Sequence, residues 1–330
     1  CLRFCAYCFF YQMPMQLSER MGNMVYDRYA FAVPQEKQVR LITDTDAKNE
    51  ADDQFAVVQA LLSPKMDNVG LIAAHFGIDR VPDAMEASYR ELETILDKMY
   101  LPKDGLLYHG APHALPDRTA PVVSEGAELI VREAMKDDPR RLFVIFLGPL
   151  TDLASAYLME PRIANRLTAI WIGGGVYPSG SPEFNLGNDV NAANVVFSSK
   201  IELWQVPKNV YEMMPVSLAE LQVRVRPYGE IGRYLFDQLI AHSQEEIPRK
   251  SDFRTGETWV LGDSPAVGLI LYEHRFEFDY VPAPYITQEQ VYVHTGLSRP
   301  IRVYKSIDSR LILEDLYAKL QLFAAENCPR

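Results

Sequence analysis

Short apolar runs alternate along this chain with longer stretches whose apolar residues recur every three or four positions. The runs at 39–43, 69–74, 142–147, 169–172 and 201–206 read as strands. The periodic stretches read as helices. In 52–63, Phe55, Val58 and Leu62 fall on one face. The stretch 83–100 starts at Asp83, a suitable N-cap. The stretch 124–136 starts at Ser124, with acidic residues through Glu128 in its first turn. Further helices are expected from Gly148-Pro149 to Met159, at 191–198 and at 228–242. This order predicts an α/β fold: a mostly parallel central sheet with helices on both faces. Strand-like pieces at 291–294 and 301–305 precede a final helix at 311–325. No repeat or low-complexity linker breaks the pattern. Residues 37–330 are therefore expected to form a single domain, with 1–36 as an N-terminal extension outside it.

With 330 residues, 48% of them hydrophobic, the chain can bury a large core. A net charge of −11 argues against a nucleic-acid partner, which usually meets a basic face. No apolar run approaches the ~20 residues that cross a bilayer, so no membrane partner is expected. Three of the four cysteines are Cys1, Cys5 and Cys8, a spacing that can hold zinc or an iron–sulfur centre. Their neighbours are apolar and aromatic and no partner cluster follows, which favours free thiols in a loose tail. That usage suits a reducing, cytoplasmic compartment. Residues 1–12 lack the cleavage pattern of a signal peptide.

The strongest chemical signal is Asp44-Thr45-Asp46-Ala47-Lys48-Asn49-Glu50-Ala51-Asp52-Asp53, which sets five carboxylates where the first strand ends. Crowded carboxylates are costly unless a cation or hydrogen-bonding ligand compensates. Oxygen-only ligands favour a hard divalent ion, Ca²⁺ or Mg²⁺. Open α/β sheets also bind ligands at the carboxyl ends of their strands.

Four stretches together resemble the inosine–uridine-preferring nucleoside hydrolase superfamily, as a divergent branch. They are the acidic loop, Leu147-Gly148-Pro149-Leu150-Thr151-Asp152-Leu153-Ala154, the glycines 173–175 followed by Glu183-Phe184-Asn185 and Asp189, and Asp263-Ser264-Pro265-Ala266-Val267. The resemblance covers roughly residues 38–275 and rests on the order of the motifs, since each alone is weak. It implies a nucleoside-hydrolase-like fold, a nucleoside as small-molecule substrate, homo-oligomeric assembly and metal-dependent cleavage of an N-glycosidic bond. It implies Asp46, Asp53, Asp263 and the carbonyl of Leu147 as ligands of Ca²⁺, with Asp46 also the general base. Asp52, Ile172, Glu183, Asn185 and Asp263 become ribose contacts, and Asp44 a support. Consecutive helix residues point about 100° apart, which also argues that Asp52 and Asp53 do not serve one ion equally.

Three departures accompany the resemblance. The acidic loop is two residues longer, so Asn49 and Glu50 have no counterpart. The segment from the glycines to Glu183 is about three residues short, and an expected ribose-binding Asn has no match. Gly262 stands where many members carry a His that helps the base depart. Candidates for that missing role are His75, at the end of the second strand, Tyr177, after the glycine turn, Tyr211 and Trp259. His75 also reads as an ordinary hydrogen-bonded residue, and Tyr211 and Trp259 as core aromatics. Two rivals remain. Asp44-Thr45-Asp46 imitates the nucleophile and acid of a haloacid-dehalogenase-like, Mg²⁺-dependent phosphatase. The missing His and Asn also fit a non-catalytic ribose- or nucleoside-binding protein.

Overall fold

The computed structural model describes residues 26, 28–77, 81–245, 249–250, 256–272, 276–296 and 298–327. Cys1, Cys5 and Cys8 lie outside them. Within the described residues, the end of the N-terminal segment packs on the domain rather than standing apart. Tyr26 is buried, edge-on to Tyr29 at 4.7 Å and to Phe323 at 6.0 Å. The Tyr29 hydroxyl donates to the carbonyl of Leu62 at 2.7 Å. Burying these aromatic faces against the C-terminal helix, Ser309–Asn327, anchors the segment.

The central sheet is built from β1 (Val39–Thr45), β2 (Met66–Ala73), β3 (Leu107–His109), β4 (Leu142–Phe146), β5 (Thr168–Ile172) and β6 (Glu202–Val206). Later in the chain come β7 (Pro215–Ser217), β8 (Thr258–Val260), β9 (Phe278–Pro282), β10 (Tyr285–Ile286), β11 (Tyr292–Val293) and β12 (Pro300–Tyr304). The eight-stranded order is β3-β2-β1-β4-β5-β6-β12-β9, parallel except for β9 at one edge. Every residue of β1, β4 and β5 is buried, as expected for strands covered on both faces. Alternate residues feed two cores. Leu41, Phe143 and Ile145 enter one, while Ile42, Val144 and Phe146 enter the other.

The helices are α1 (Asp53–Leu61), α2 (Ala84–Lys98), α3 (Glu125–Ala134), α4 (Thr151–Met159), α5 (Phe184–Asn188), α6 (Val190–Ser198), α7 (Lys208–Tyr211), α8 (Leu218–Arg224) and α9 (Gly229–Ser243). Helices Ser264–Leu271 and Ser309–Asn327 follow. Ser124 caps α3 as expected, its hydroxyl accepting from the Ala127 N–H at 2.9 Å. Asp83 precedes α2 without a side-chain capping bond. Thr151 and Asp152 do not cap α4, because both are committed to partners across the sheet end. Residues 291–294 contribute only β11, which pairs with β10 outside the main sheet. Among the described residues, no helix is long and apolar enough to cross a membrane.

This topology sets the site. From β1 the chain winds outward through β2 to β3, then returns to β4 on the other side of β1. The connections leaving β1 and β4 therefore diverge, opening a crevice at their carboxyl ends.

Candidate active site

Asp46 immediately follows β1, and Leu147 immediately follows β4. The N–H of Leu147 donates to the carbonyl of Asp44 at 2.9 Å, which locks the two strand ends in register. Gly148 makes the tight passage possible. A Cβ there would lie 3.0 Å from Cγ of Asp46. The loop between β1 and α1 is pinned by its own turn, Asn49 N–H to Asp46 carbonyl at 2.8 Å. It is pinned again by the Gln54 side-chain amide on the Ala47 carbonyl at 2.6 Å. Asp52 and Asp53 thus open α1, and α1 packs against the helix Ser264–Leu271, which Asp263 precedes.

Carboxylate oxygens of Asp52, Asp53 and Asp263, all buried, lie within 4.8 Å of one another. The angular argument from helix geometry does not separate Asp52 from Asp53. Asp52 sits at the N-cap, where its Oδ2 accepts from the Asp263 N–H at 3.3 Å. Asp46 lines the same cavity, with both carboxylate oxygens buried and, among the described residues, without a hydrogen-bond partner. The cavity is open to solvent, and its roughly 360 Å³ of empty space includes part of that solvent.

Charge crowding registers in the acidities. Burial raises the Asp46 carboxyl well above the usual range, and Asp53, Asp52, Asp44 and Glu183 push the same way. Asp263 is raised well above it too, by burial and then by Asp52, Asp53, Asp46 and Glu50. Asp53 is pushed up to about 7 by burial, moderated by the hydroxyl of Thr45, which donates to its Oδ1. The donor set and the orphaned oxygens of Asp46 fit a hard divalent cation, which would relieve this repulsion. Among the described residues, the two buried oxygens of Asp44 also have no hydrogen-bond partner. It does not line the cavity, and burial followed by Asp152 raises its pKa.

The opposite wall is built on Glu183. It caps α5, and its two oxygens accept four bonds. Oε2 takes the N–H groups of Gly174 (2.7 Å) and Leu186 (2.9 Å). Oε1 takes the Asn185 N–H and the Tyr211 hydroxyl, both at 3.1 Å. A carboxylate offers about four such positions, so Glu183 fixes the wall rather than reaching from it. The Asn185 side-chain amide donates to the carbonyls of Leu147 (3.2 Å) and Ile172 (2.9 Å), joining the ends of β4 and β5.

Asp46, Asp52, Asp53, Leu147, Ile172, Glu183, Asn185 and Asp263 all line this one cavity, and His75 does not. His75 Nε2 lies 2.9 Å from Thr151 Oγ1, which donates to Asp189 Oδ2 at 2.8 Å, while the Gly77 N–H donates to Nδ1. This chain assigns the Nε2–H tautomer. Burial lowers the His75 pKa to about 4. Tyr177 lies outside the lining, edge-on to His294 at 5.2 Å, and Trp259 is a buried core residue. Tyr211, a candidate for the site mouth that also reads as a core aromatic, lines the cavity from the end of α7. A Cβ on Gly262 would lie 3.1 Å from its ring and 3.3 Å from Oδ2 of Asp52. The glycine before Asp263 was the available sign that a large neighbour fills that space. Asn49 and Glu50, from the lengthened loop, line the cavity as well.

The family model for inosine-uridine preferring nucleoside hydrolases matches residues 41–310. A probable uridine nucleosidase 2 from Arabidopsis thaliana is 25% identical over 222 residues, covering 59% of this chain and 67% of that protein. An inosine-uridine preferring nucleoside hydrolase from Leishmania major is 35% identical over 108 residues, 31% of this chain and 33% of that protein. Among solved structures, a purine-preferring ribonucleoside hydrolase from Gardnerella vaginalis superposes with a TM-score of 0.69. It is 18% identical, covers 86% of this chain and 99% of its own, and shares the fold. With the family's motifs gathered at one sheet crevice and its model matched over most of the sequence, this chain belongs to the inosine-uridine preferring nucleoside hydrolase family.

Proposed function

We propose that this chain hydrolyses the N-glycosidic bond of a ribonucleoside or related N-ribosyl compound, releasing ribose and free base. Hydrolysis of ribonucleosides is the reaction of the family to which it belongs. One observation carries the reading to particular residues: Asp52, Asp53 and Asp263 converge beside Asp46 in the crevice between β1 and β4.

In this reading Asp46, Asp53, Asp263 and the carbonyl of Leu147 would hold a divalent cation, with Asp52 beside these residues. Ca²⁺ is favoured over Mg²⁺ because the site would offer many protein oxygens together with ribose hydroxyls. When bound, such an ion polarises water as a Lewis acid. Asp46 then accepts the proton of the attacking water. Asp52, Asn185 and Asp263 contact the ribose hydroxyls beside Ile172, and Glu183 holds Asn185 and Tyr211 in position. Water attacks the anomeric carbon as the C–N bond breaks through a transition state of oxocarbenium character. The phosphatase alternative needs Asp44 as an accessible nucleophile, and Asp44 is fully buried away from the cavity lining. The family resemblance further suggests a homo-oligomer in the cytoplasm serving purine or pyrimidine salvage. Sedimentation of the purified protein tests the assembly.

The deciding experiment measures ribose release from a nucleoside panel and p-nitrophenyl riboside, with and without added Ca²⁺. Release that depends on the ion, and is lost in Asp46→Asn, is expected. Metal and ribose binding without turnover of any riboside would instead identify a binding protein.

A further inference from the structure

Gln290 closes the turn of the β10–β11 hairpin at φ 63°, a left-handed conformation that favours Gly or Asn. The turn's hydrogen bonds require that backbone. The Gln290 N–H donates to the Thr287 carbonyl at 2.9 Å, and the Thr287 N–H to the Val291 carbonyl at 3.0 Å. Hairpin turns of this kind ordinarily place Gly there. A long side chain kept in spite of the backbone cost points to a task for that side chain. Its Oε1 accepts from the Glu183 N–H at 2.6 Å, across 107 positions of sequence. Its Nε2 lies over Gly187, where a Cβ would stand 2.8 Å away. Both ends of the amide therefore rest on α5 and its cap.

The local sequence explains why the contact is needed. An N-cap residue's own N–H is often taken by a Glu or Gln three positions on. Here Glu183 is the cap and Leu186 holds that position, with no side-chain acceptor. Gln290 supplies the acceptor from a distant hairpin, and the hairpin is braced. The Asn194 side chain on α6 donates to the Ile286 carbonyl at 2.8 Å and accepts from the Ile286 N–H at 2.9 Å. On β11, the Tyr292 N–H donates to the Ser179 carbonyl at 2.9 Å, and the Tyr292 hydroxyl accepts from the Gln205 side chain at 3.1 Å. Gln290 itself does not line the cavity. Resting on the proposed hydrolase function, we infer that Gln290 is a positioning residue for the ribose wall. It fixes Glu183, and Glu183 in turn orients Asn185 and Tyr211.

The test uses Gln290→Gly and Gln290→Asn, which suit the left-handed backbone and remove or shorten the side chain. Both should melt within about 2 °C of the wild type, since an easier backbone offsets the lost hydrogen bond. Both should lose about tenfold in kcat/KM for p-nitrophenyl riboside. The loss should fall mostly on KM, because the wall meets the sugar as it binds. In a Glu183→Ala background, Gln290→Gly should change kcat/KM by less than about twofold, since the side chain it aims is gone. Amide exchange over residues 183–187 should quicken at least about tenfold in Gln290→Gly. Wild-type kcat/KM in both variants would overturn the inference. So would an undiminished loss in the Glu183→Ala background, or a loss that tracks a fall in Tm of about 5 °C or more, which would make Gln290 a turn residue only. Failure of the wild type to release ribose would instead sink the hydrolase reading. The exchange rates then decide whether Gln290 holds the wall, and unchanged rates overturn the inference in either case.

Discussion

The main-chain N–H of Asp263 donates to Oδ2 of Asp52 at 3.3 Å, although 211 positions separate the two in sequence. This contact joins the N-terminal entry of α1 to that of the helix Ser264–Leu271. Two helix N-termini, each a centre of partial positive charge, thereby face one carboxylate cluster. They stabilise the anions until a cation does so more completely.

Asp46 is the group whose loss should matter most to turnover. Asp46→Asn keeps the volume and removes the base, so kcat should fall by about 10²- to 10⁴-fold. The far-ultraviolet circular dichroism should not change. Retention of more than a tenth of wild-type kcat on p-nitrophenyl riboside would assign the base elsewhere.

Metal removal should couple to pH. Asp53 has its pKa raised from 3.8 to about 7 in the folded protein. A raised acid favours folding while protonated. Its contribution is complete below the unfolded pKa and is lost as pH rises through the folded one. The metal-free protein should therefore lose melting temperature between about pH 4 and pH 7, with Asp46 and Asp263 acting in the same direction. Added Ca²⁺ should raise the melting temperature strongly near pH 8 and weakly near pH 5, because protons compete for the same oxygens. Thermal scans with and without chelator check this. An equal calcium effect at both pH values would contradict it.

Gly148→Ala probes the passage beside Asp46, where a Cβ would sit 3.0 Å from the carboxyl carbon. The displaced carboxylate should cost about tenfold or more in kcat/KM. A crystal structure of the variant would show whether Asp46 had moved. Full activity with Asp46 displaced would break the link between its position and the chemistry.

His75 and Tyr211 should separate structure from chemistry. His75→Ala strands Thr151 in a buried site and should lower stability by about 1–3 kcal/mol, leaving the pH profile of kcat/KM unaltered in shape. Tyr211→Phe removes one donor from Glu183 and should cost about 1 kcal/mol of stability. The variant should keep wild-type kcat on guanosine relative to p-nitrophenyl riboside. Selective loss of guanosine cleavage in either variant would make that residue the acid.

The strands that carry the site were legible because burial on both faces leaves an unbroken apolar run, as in Leu142–Phe146. β2 begins at Met66, earlier than its apolar core suggests, because Asp67 and Asn68 are polar. Asp67 pairs with Arg140 at 2.8 Å, and Asn68 donates to the Ala60 carbonyl at 3.1 Å. β3 and β9 went unread, one being three residues long and the other an edge strand of exposed and half-buried residues. In the site, the acidic loop announced itself by charge density. The grouping of Asp52 with Asp53 and Asp263 did not, because it depends on a partner far away in sequence. Tyr211 is ambiguous in the sequence for a similar reason. An aromatic residue on a four-residue helix looks like core until its neighbour across the cavity proves to be a glycine.

Glu183, saturated by Gly174, Leu186, Asn185 and Tyr211, makes the wall that the proposed function assigns to the sugar rigid before any ligand arrives. Discrimination between ribosides and deoxyribosides at this wall is then decided during folding, not during encounter.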